Sequence, residues 1–366
     1  MRKSLIQGLS EKDIMAVLRT YDLNPFYYPT LMPLRFTPTL TWKTLAGDLG
    51  VPVAADVVSF NSSAPKKTRD VVQRLSGDIP KIEVAREKEE TDLNEYNQLV
   101  HYASAGGEGA QRALVEFIYN DVEFCWNAVN ARLEWLALRG LSTGKVVLDG
   151  NNNNGIVTET LVDFQVPAAN KKGASVVWSV ANKATAKPID DIKTIVNLAK
   201  ANGYMVNFML MNSDTFDIMA QTDQVVDATA GWVIQAAGID ALTPDLGAVN
   251  RMLQNRNLPQ IRIIDSLVTI EKRDGTRTVV NPWEEGVVTF VPSLVCGNTF
   301  HAPLADELVR DSAAMKAKRE HVMIKKFSEE DPVKEITKGL ANAFPVWATS
   351  QRSFLLDTLD TTWGNG

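Results

Sequence analysis

Residues 51–100 constrain this chain more than any other stretch. They read as two extended strands joined by a charged, polar tip, with almost no core of their own. The outgoing strand is Val51–Phe60, the tip Asn61–Arg69, and the return Ile79–Glu90, where Ile79, Ile82 and Val84 alternate with charges. A two-stranded ribbon is marginally stable alone in water. A long polar ribbon therefore needs a partner surface, and a neighbouring copy of the same chain is the natural one.

The ribbon is also electrically divided. Lys66, Lys67, Arg69 and Arg74 stand against Asp70, a net +3 at the tip. Glu83, Glu87, Glu89, Glu90, Asp92 and Glu95 stand against Arg86 and Lys88, a net −4 at the base. Complementary charge of this kind sets partner and register more than affinity. The pattern reads either as a solvated face or as the tip of one copy meeting an acidic surface on the next.

On either side of the ribbon the chain changes character. Ser10 is a good helix cap for residues 10–21, with Glu11 and Asp13 suited to the positive helix end. Asn24–Pro38 holds four prolines and several aromatics. It predicts an extended arm in which Phe26, Tyr27, Tyr28 and Phe36 lie against a neighbour. After the ribbon, Gly106, Gly107 and Gly109 form a predicted hinge. Apolar residues then recur every three or four positions from Leu114 to Leu136, predicting a helix over 110–139, about 45 Å long.

An Asn/Gly turn at 149–155 predicts a hairpin between Lys145–Leu148 and Ile156–Phe164, and 165–187 reads as loop. From Pro188 the texture becomes α/β. Helices are expected at 189–201, from Asn212 or Ser213 to about Met219, and at 245–256; strands are expected at 204–211, 261–270 and 287–291, with a hairpin turn at Asp274-Gly275. Toward the end, 320–327 reads as a strand, 331–341 as a short helix opened by Asp331-Pro332, and 343–359 as a strand pair or extended tail.

Catalytic chemistry is poorly represented. His101, His301 and His321 are the only histidines, and none has zinc-motif spacing. Gly140–Lys145 resembles a phosphate loop but has one residue too few, lacks the Ser/Thr and precedes a strand. No G-x-S-x-G elbow occurs. Cys125 and Cys296 sit in apolar settings and read as buried free thiols, although a disulfide between them stays open. At 366 residues, 45% apolar and 22% charged, the chain is long enough for about two or three domains. No stretch reaches the length of a membrane-spanning helix, and the basic N-terminus lacks a secretion signal's apolar run. A net charge of −6 argues against general nucleic-acid binding. It does not disfavour a container whose wall must not grip its polymer.

The order of these elements is similar to the HK97-type fold of tailed-bacteriophage major capsid proteins, and more closely to the lambda-like capsid protein E family. The resemblance rests on Val53–Phe60 with its charged return, Thr143–Leu148 leading to Leu161–Phe164, Lys187–Ile192 before Val206–Met211, and Phe290–Thr299 with a terminal stretch ending in Phe354–Asp357. It implies an α+β fold with an N-terminal arm (1–45), an E-loop ribbon (46–100), a P-domain with a long spine helix (101–187), an α/β A-domain (188–300) and a P-domain return with C-terminal strands (301–366). It implies hexamers and pentamers closing an icosahedral shell around double-stranded DNA, without cofactor, catalytic residue or membrane. Portal, scaffold and decoration proteins are the implied partners, and the implied setting is a virion assembled in the host bacterial cytoplasm. A-domain loops near 221–245 and 297–302 would meet at the capsomer axis, and shell expansion would bend the spine helix and swing the ribbon at Gly106–Gly109. Lys66 or Lys67 could serve as crosslink donors, but lambda-like shells generally use decoration proteins instead. The competing readings are an encapsulin-like compartment and a soluble α/β enzyme built on 188–300.

Overall fold

A computed structural model describes residues 4–6, 8–46, 73–105, 108–153, 160–236, 243–272, 275–309 and 313–364. Helix α1 (Glu11–Leu18) starts as expected at Ser10, whose hydroxyl accepts from the Asp13 amide while Asp13 accepts from the Ser10 amide. The proline-rich stretch holds one helical turn, α2 (Tyr28–Leu31), with Pro29 in its first turn, and then strand β1 (Leu34–Phe36). Strands β2 (Thr41–Ala46) and β3 (Gln73–Asp78) pair antiparallel, with Thr41 opposite Asp78 and Ala46 opposite Gln73. They flank the stretch expected to form the ribbon. The expected outgoing strand at 51–60 and tip at 61–69 lie outside the described residues.

Strand β4 (Lys81–Lys88) gives way to helix α3 (Glu90–Ser104), so the ribbon ends near Lys88 and not at residue 100. The acids read there as ribbon base are a helix start: Glu89 is the N-cap, Asp92 accepts from its amide, and Leu93 and Tyr96 are buried three apart. The long helix is α4 (Glu108–Thr143), 36 residues or about 54 Å. From Val129 to Thr143 it is buried apart from half-buried Ala131, Arg132 and Arg139, and it stops at Gly144, where φ is +81°.

The chain continues through β5 (Lys145–Leu148), β6 (Thr160–Asp163), β7 (Lys171–Gly173), α5 (Pro188–Ala201), β8 (Phe208–Met211), α6 (Ser213–Ala220), α7 (Asp223–Ala236), α8 (Leu246–Asn255), β9 (Gln260–Ile263), β10 (Val268–Glu271), β11 (Arg277–Val280), β12 (Val287–Val291), β13 (Gly297–Ala302), β14 (Met315–Arg319), β15 (Val322–Glu330), β16 (Val333–Trp347) and β17 (Phe354–Asp357). Two sheets organise these elements. In the first the order is β1-β13-β16-β15-β14, with β4 also paired to β16. Helix α4 lies across this sheet and contacts β16 most. Gly339 permits the crossing, because a Cβ there would sit 2.8 Å from the Cys125 carbonyl oxygen. In the second sheet the order is β7-β17-β12-β8-β9. Ile189, Ile192, Ile195 and Val196 of α5 share its core with Met209, Met211, Phe290 and Phe354.

Several expectations need correction. The predicted helix over 331–341 is part of β16, and Asp331-Pro332 turns the chain between β15 and β16. The 261–270 strand is two strands, β9 and β10, and the 204–211 strand begins only at Phe208. Residues 223–236, expected in a loop, form α7, and 297–302 form β13 inside the first sheet, with Phe300 and Ala302 buried. The α/β sheet also takes β7 and β17 from outside 188–300. Only half of Asp274-Gly275 is described, but β10 and β11 do pair around it.

Candidate assembly surfaces

Chemistry-bearing side chains are used for packing. Among the described residues no group of three or more His, Cys, Asp or Glu could hold a metal ion, and no described helix is long and apolar enough to cross a membrane. Cys125 and Cys296 are free buried thiols, and burial pushes both up to about 12. His321 is buried; its Nε2 lies 3.0 Å from Asn130 Oδ1 and 3.2 Å from Tyr28 Oη. Burial, then the nearby charge of His301, Lys318 and Arg319, lowers its pKa to about 3. It is a neutral packing histidine.

This cluster corrects the reading of the arm. Tyr28 is wholly buried in its own subunit, and its hydroxyl donates to Asn130 Oδ1 at 2.7 Å. The amides of Tyr27 and Tyr28 donate to Glu134 on α4 at 3.1 and 2.8 Å. Burial raises the Glu134 carboxyl above its usual range, against the lowering effect of those bonds. Phe26 and Tyr27 are partly buried against the same core. Phe36 alone of the four aromatics is well exposed, at 58%, edge-on to His301.

The acidic base of the ribbon is corrected in the same way. Glu83 accepts from Lys81 at 2.6 Å and Lys338 at 3.0 Å, and Glu87 from Lys334 at 3.1 Å. Partial burial raises the Glu83 carboxyl, but these lysine bonds outweigh it and its pKa lies below the usual range. Glu89 and Glu90 open α3. Lys66, Lys67 and Arg69 lie outside the described residues, and Arg74 sits on β3 opposite Leu45, at the ribbon root and not its tip. Gly106 and Gly107 also lie outside them, and Gly109 is in the first turn of α4. The fifteen-residue helix α3 separates Gly109 from β4.

Two buried ion pairs were missed by sequence reasoning. Lys88 of β4 pairs with Asp121 of α4, and Lys326 of β15 lies 3.7 Å from Glu335 of β16. Glu335 also accepts from the Ser4 hydroxyl and, at 2.9 Å, from the Leu5 amide. Lys–Glu alternation in a strand predicts a solvated face; the crossing of α4 and the segment at Ser4–Leu5 cover it.

The first half of α4 presents a different surface. No residue from Glu108 to Asn120 is buried, and α3 is its main neighbour, with Tyr96 stacked on Phe117 at 5.8 Å. Two shallow furrows run along the open face. One, of about 590 Å³, is lined by Glu108, Gln111, Arg112, Val115 and Glu116. The other, of about 400 Å³, shares Val115 and Glu116 and continues past Tyr119 and Glu123 to Phe124.

Comparison with known proteins agrees with this architecture. The fold is similar to the crystal structure described as a prophage capsid protein of E. coli CFT073, with a TM-score of 0.58 at 16% identity, covering 96% of this chain and 99% of that one. It is also similar to a phage-related protein from Bordetella bronchiseptica RB50, with a TM-score of 0.50 at 10% identity, covering 98% of each chain. No curated protein matches the sequence. The fold is thus the α+β, HK97-type capsid fold. The family model for phage major capsid protein E matches residues 24–352, and the chain belongs to that family.

Proposed function

We propose that this major capsid subunit assembles into hexamers and pentamers that close an icosahedral shell around double-stranded DNA. The observation that carries the reading is the family match across 24–352, which spans β2 and β3, the long helix, the first sheet and all of the second sheet but β17, in one order. The ribbon leaves the body at Ala46, returns at Gln73, and overlies the adjacent subunit. Exposed Phe36 on the edge strand β1 packs against a neighbour. Portal, scaffold and decoration proteins complete the particle, which assembles in the host bacterial cytoplasm. The DNA is enclosed without sequence-specific contact, in keeping with a net charge of −6.

The test is expression of the chain followed by negative-stain microscopy and sedimentation. Closed shells are expected. Uniform monomers with no shells, rings or tubes would refute the reading. Ala46 and Gln73 are paired neighbours, so a short turn can replace 47–72 without disturbing the root. That deletion should yield a folded subunit that forms no closed shell; normal shells from it would remove the ribbon from assembly.

A further inference from the structure

The C-terminal end of α4 carries a concave surface of another kind. Two strand pairs, β5–β6 and β10–β11, pack beside it, and the cleft they frame encloses about 790 Å³. Side chains alternate between the faces of a strand. In β5 that alternation sends Val146 and Leu148 into the core and leaves Lys145 and Val147 facing the cleft. In β10–β11 the cross-strand pairs Val268–Val280 and Ile270–Thr278 mark the inner face, and Lys272, two residues past Ile270, follows it into the cleft. Trp135, Arg139 and Thr143 of α4 form the floor.

The two acids that line the cleft are already engaged. Glu284 pairs with Arg139, and Asp149 accepts from the amides of Asn151 and Asn152 at 2.8 and 3.1 Å. Nearby, Asp163, opposite Lys145 in the β5–β6 ladder, accepts from the Gln165 amide at 2.7 Å, and Glu271 accepts from Arg277 at 2.8 Å. Lys145 and Lys272 make no ion pair among the described residues, and Lys171 adds positive charge beside Lys145. Arg139 has further N–H donors beyond the bond to Glu284. Two lysines turned into one cleft over a guanidinium repel one another, and an anion between them relieves that repulsion.

We propose that this cleft binds a small phosphate ester. Arg139, Lys145 and Lys272 approach from three walls, and a tetrahedral phosphate presents oxygens to all three, whereas a carboxylate presents its two in one plane. The volume is far larger than a phosphate group needs and lies within the range of small-molecule sites, about 300–1,000 Å³. Val147, Ile270 and Val280 supply apolar wall, which fits an ester with an apolar body. Once bound, the ligand ties the two strand pairs together over the end of α4. The site goes beyond the shell reading and does not depend on it.

The test is calorimetric titration of the full chain with phenyl phosphate in salt of about 0.15 M, where loose ion pairing is screened. Saturable binding at one site per subunit is expected, with inorganic phosphate and benzoate binding more weakly and phenol not at all. Lys145→Met/Lys272→Met keeps the aliphatic stems and should weaken phenyl phosphate by roughly ten-fold or more. Lys145→Arg/Lys272→Arg should retain binding, and Lys200→Met, in the last turn of α5, should leave it unchanged. Circular dichroism checks that each variant is folded. Absence of saturable binding, equal affinity for benzoate or phenol, undiminished affinity in Lys145→Met/Lys272→Met, or an equal loss in Lys200→Met would each overturn the assignment.

Discussion

Replacing His321 with glutamine should flatten the acid sensitivity of the subunit. His321 packs against Tyr28, Trp126 and His301, with Lys318 and Arg319 adding positive charge around it. Its pKa falls from 6.5 to about 3 on folding. Between those values the unfolded chain takes up a proton at this position that the folded chain refuses. Stability is therefore full above about pH 6.5 and falls as the pH drops. At pH 5 the deficit is about 2 kcal/mol, at 1.36 kcal/mol per pH unit. Glutamine keeps a polar end for Tyr28 and Asn130 but does not titrate. Urea unfolding of the unassembled ribbon-deleted subunit, followed by tryptophan fluorescence at pH 7.5 and pH 5, measures both. The parent should lose about 2 kcal/mol more than His321→Gln over this interval. Equal losses would show that His321 accepts a proton in the folded state, and the argument from burial would fail.

Two further substitutions probe the contact between α4 and the first sheet. Gly339→Ala puts a Cβ 2.8 Å from the Cys125 carbonyl and should cost about 1–3 kcal/mol in urea unfolding, whereas Gly150→Ala, which meets open space, should cost under about 0.5 kcal/mol. Lys326→Met leaves the Glu335 carboxylate buried without its cation and should cost about 3–5 kcal/mol; adding Glu335→Gln should recover most of it, and equal losses in the single and double variants would refute the pairing.

Local chemistry was legible in the sequence. Ser10, Asn212 and Asp245 cap the helices expected after them, Pro188 opens α5, and the Asn/Gly turn brackets β5 and β6. The order of elements was legible too, and it led to the family. Failures came where a local signal serves two structures. Asp331-Pro332 starts helices and also makes turns; what decided between them was β15 on one side, β4 on the other and α4 across the face. The acids after Lys88 suit a solvated ribbon or a helix start, and only Leu93 and Tyr96, buried against neighbouring elements, separate the two. Distant partners left no local trace. Tyr28 and Glu134 are 106 residues apart, so an aromatic of the core looked like a sticky arm. The furrow on α4 was hidden because exposed Val115 and Phe124 look like any other apolar positions of a helix.

The pairing of β4 with β16 has a mechanical meaning. Strand β3, at the root of the proposed ribbon, runs almost directly into β4, which lies antiparallel to β16 in continuous register from Lys81–Asn342 to Lys88–Glu335. A tug on the ribbon along that axis loads the whole ladder in shear, all its bonds at once, instead of peeling them one by one. Lys88, at the far end, is bolted to Asp121 of α4. Strain arriving from a neighbour would therefore pass into the long helix as a sideways push near its middle, while the ribbon's own foothold stays intact.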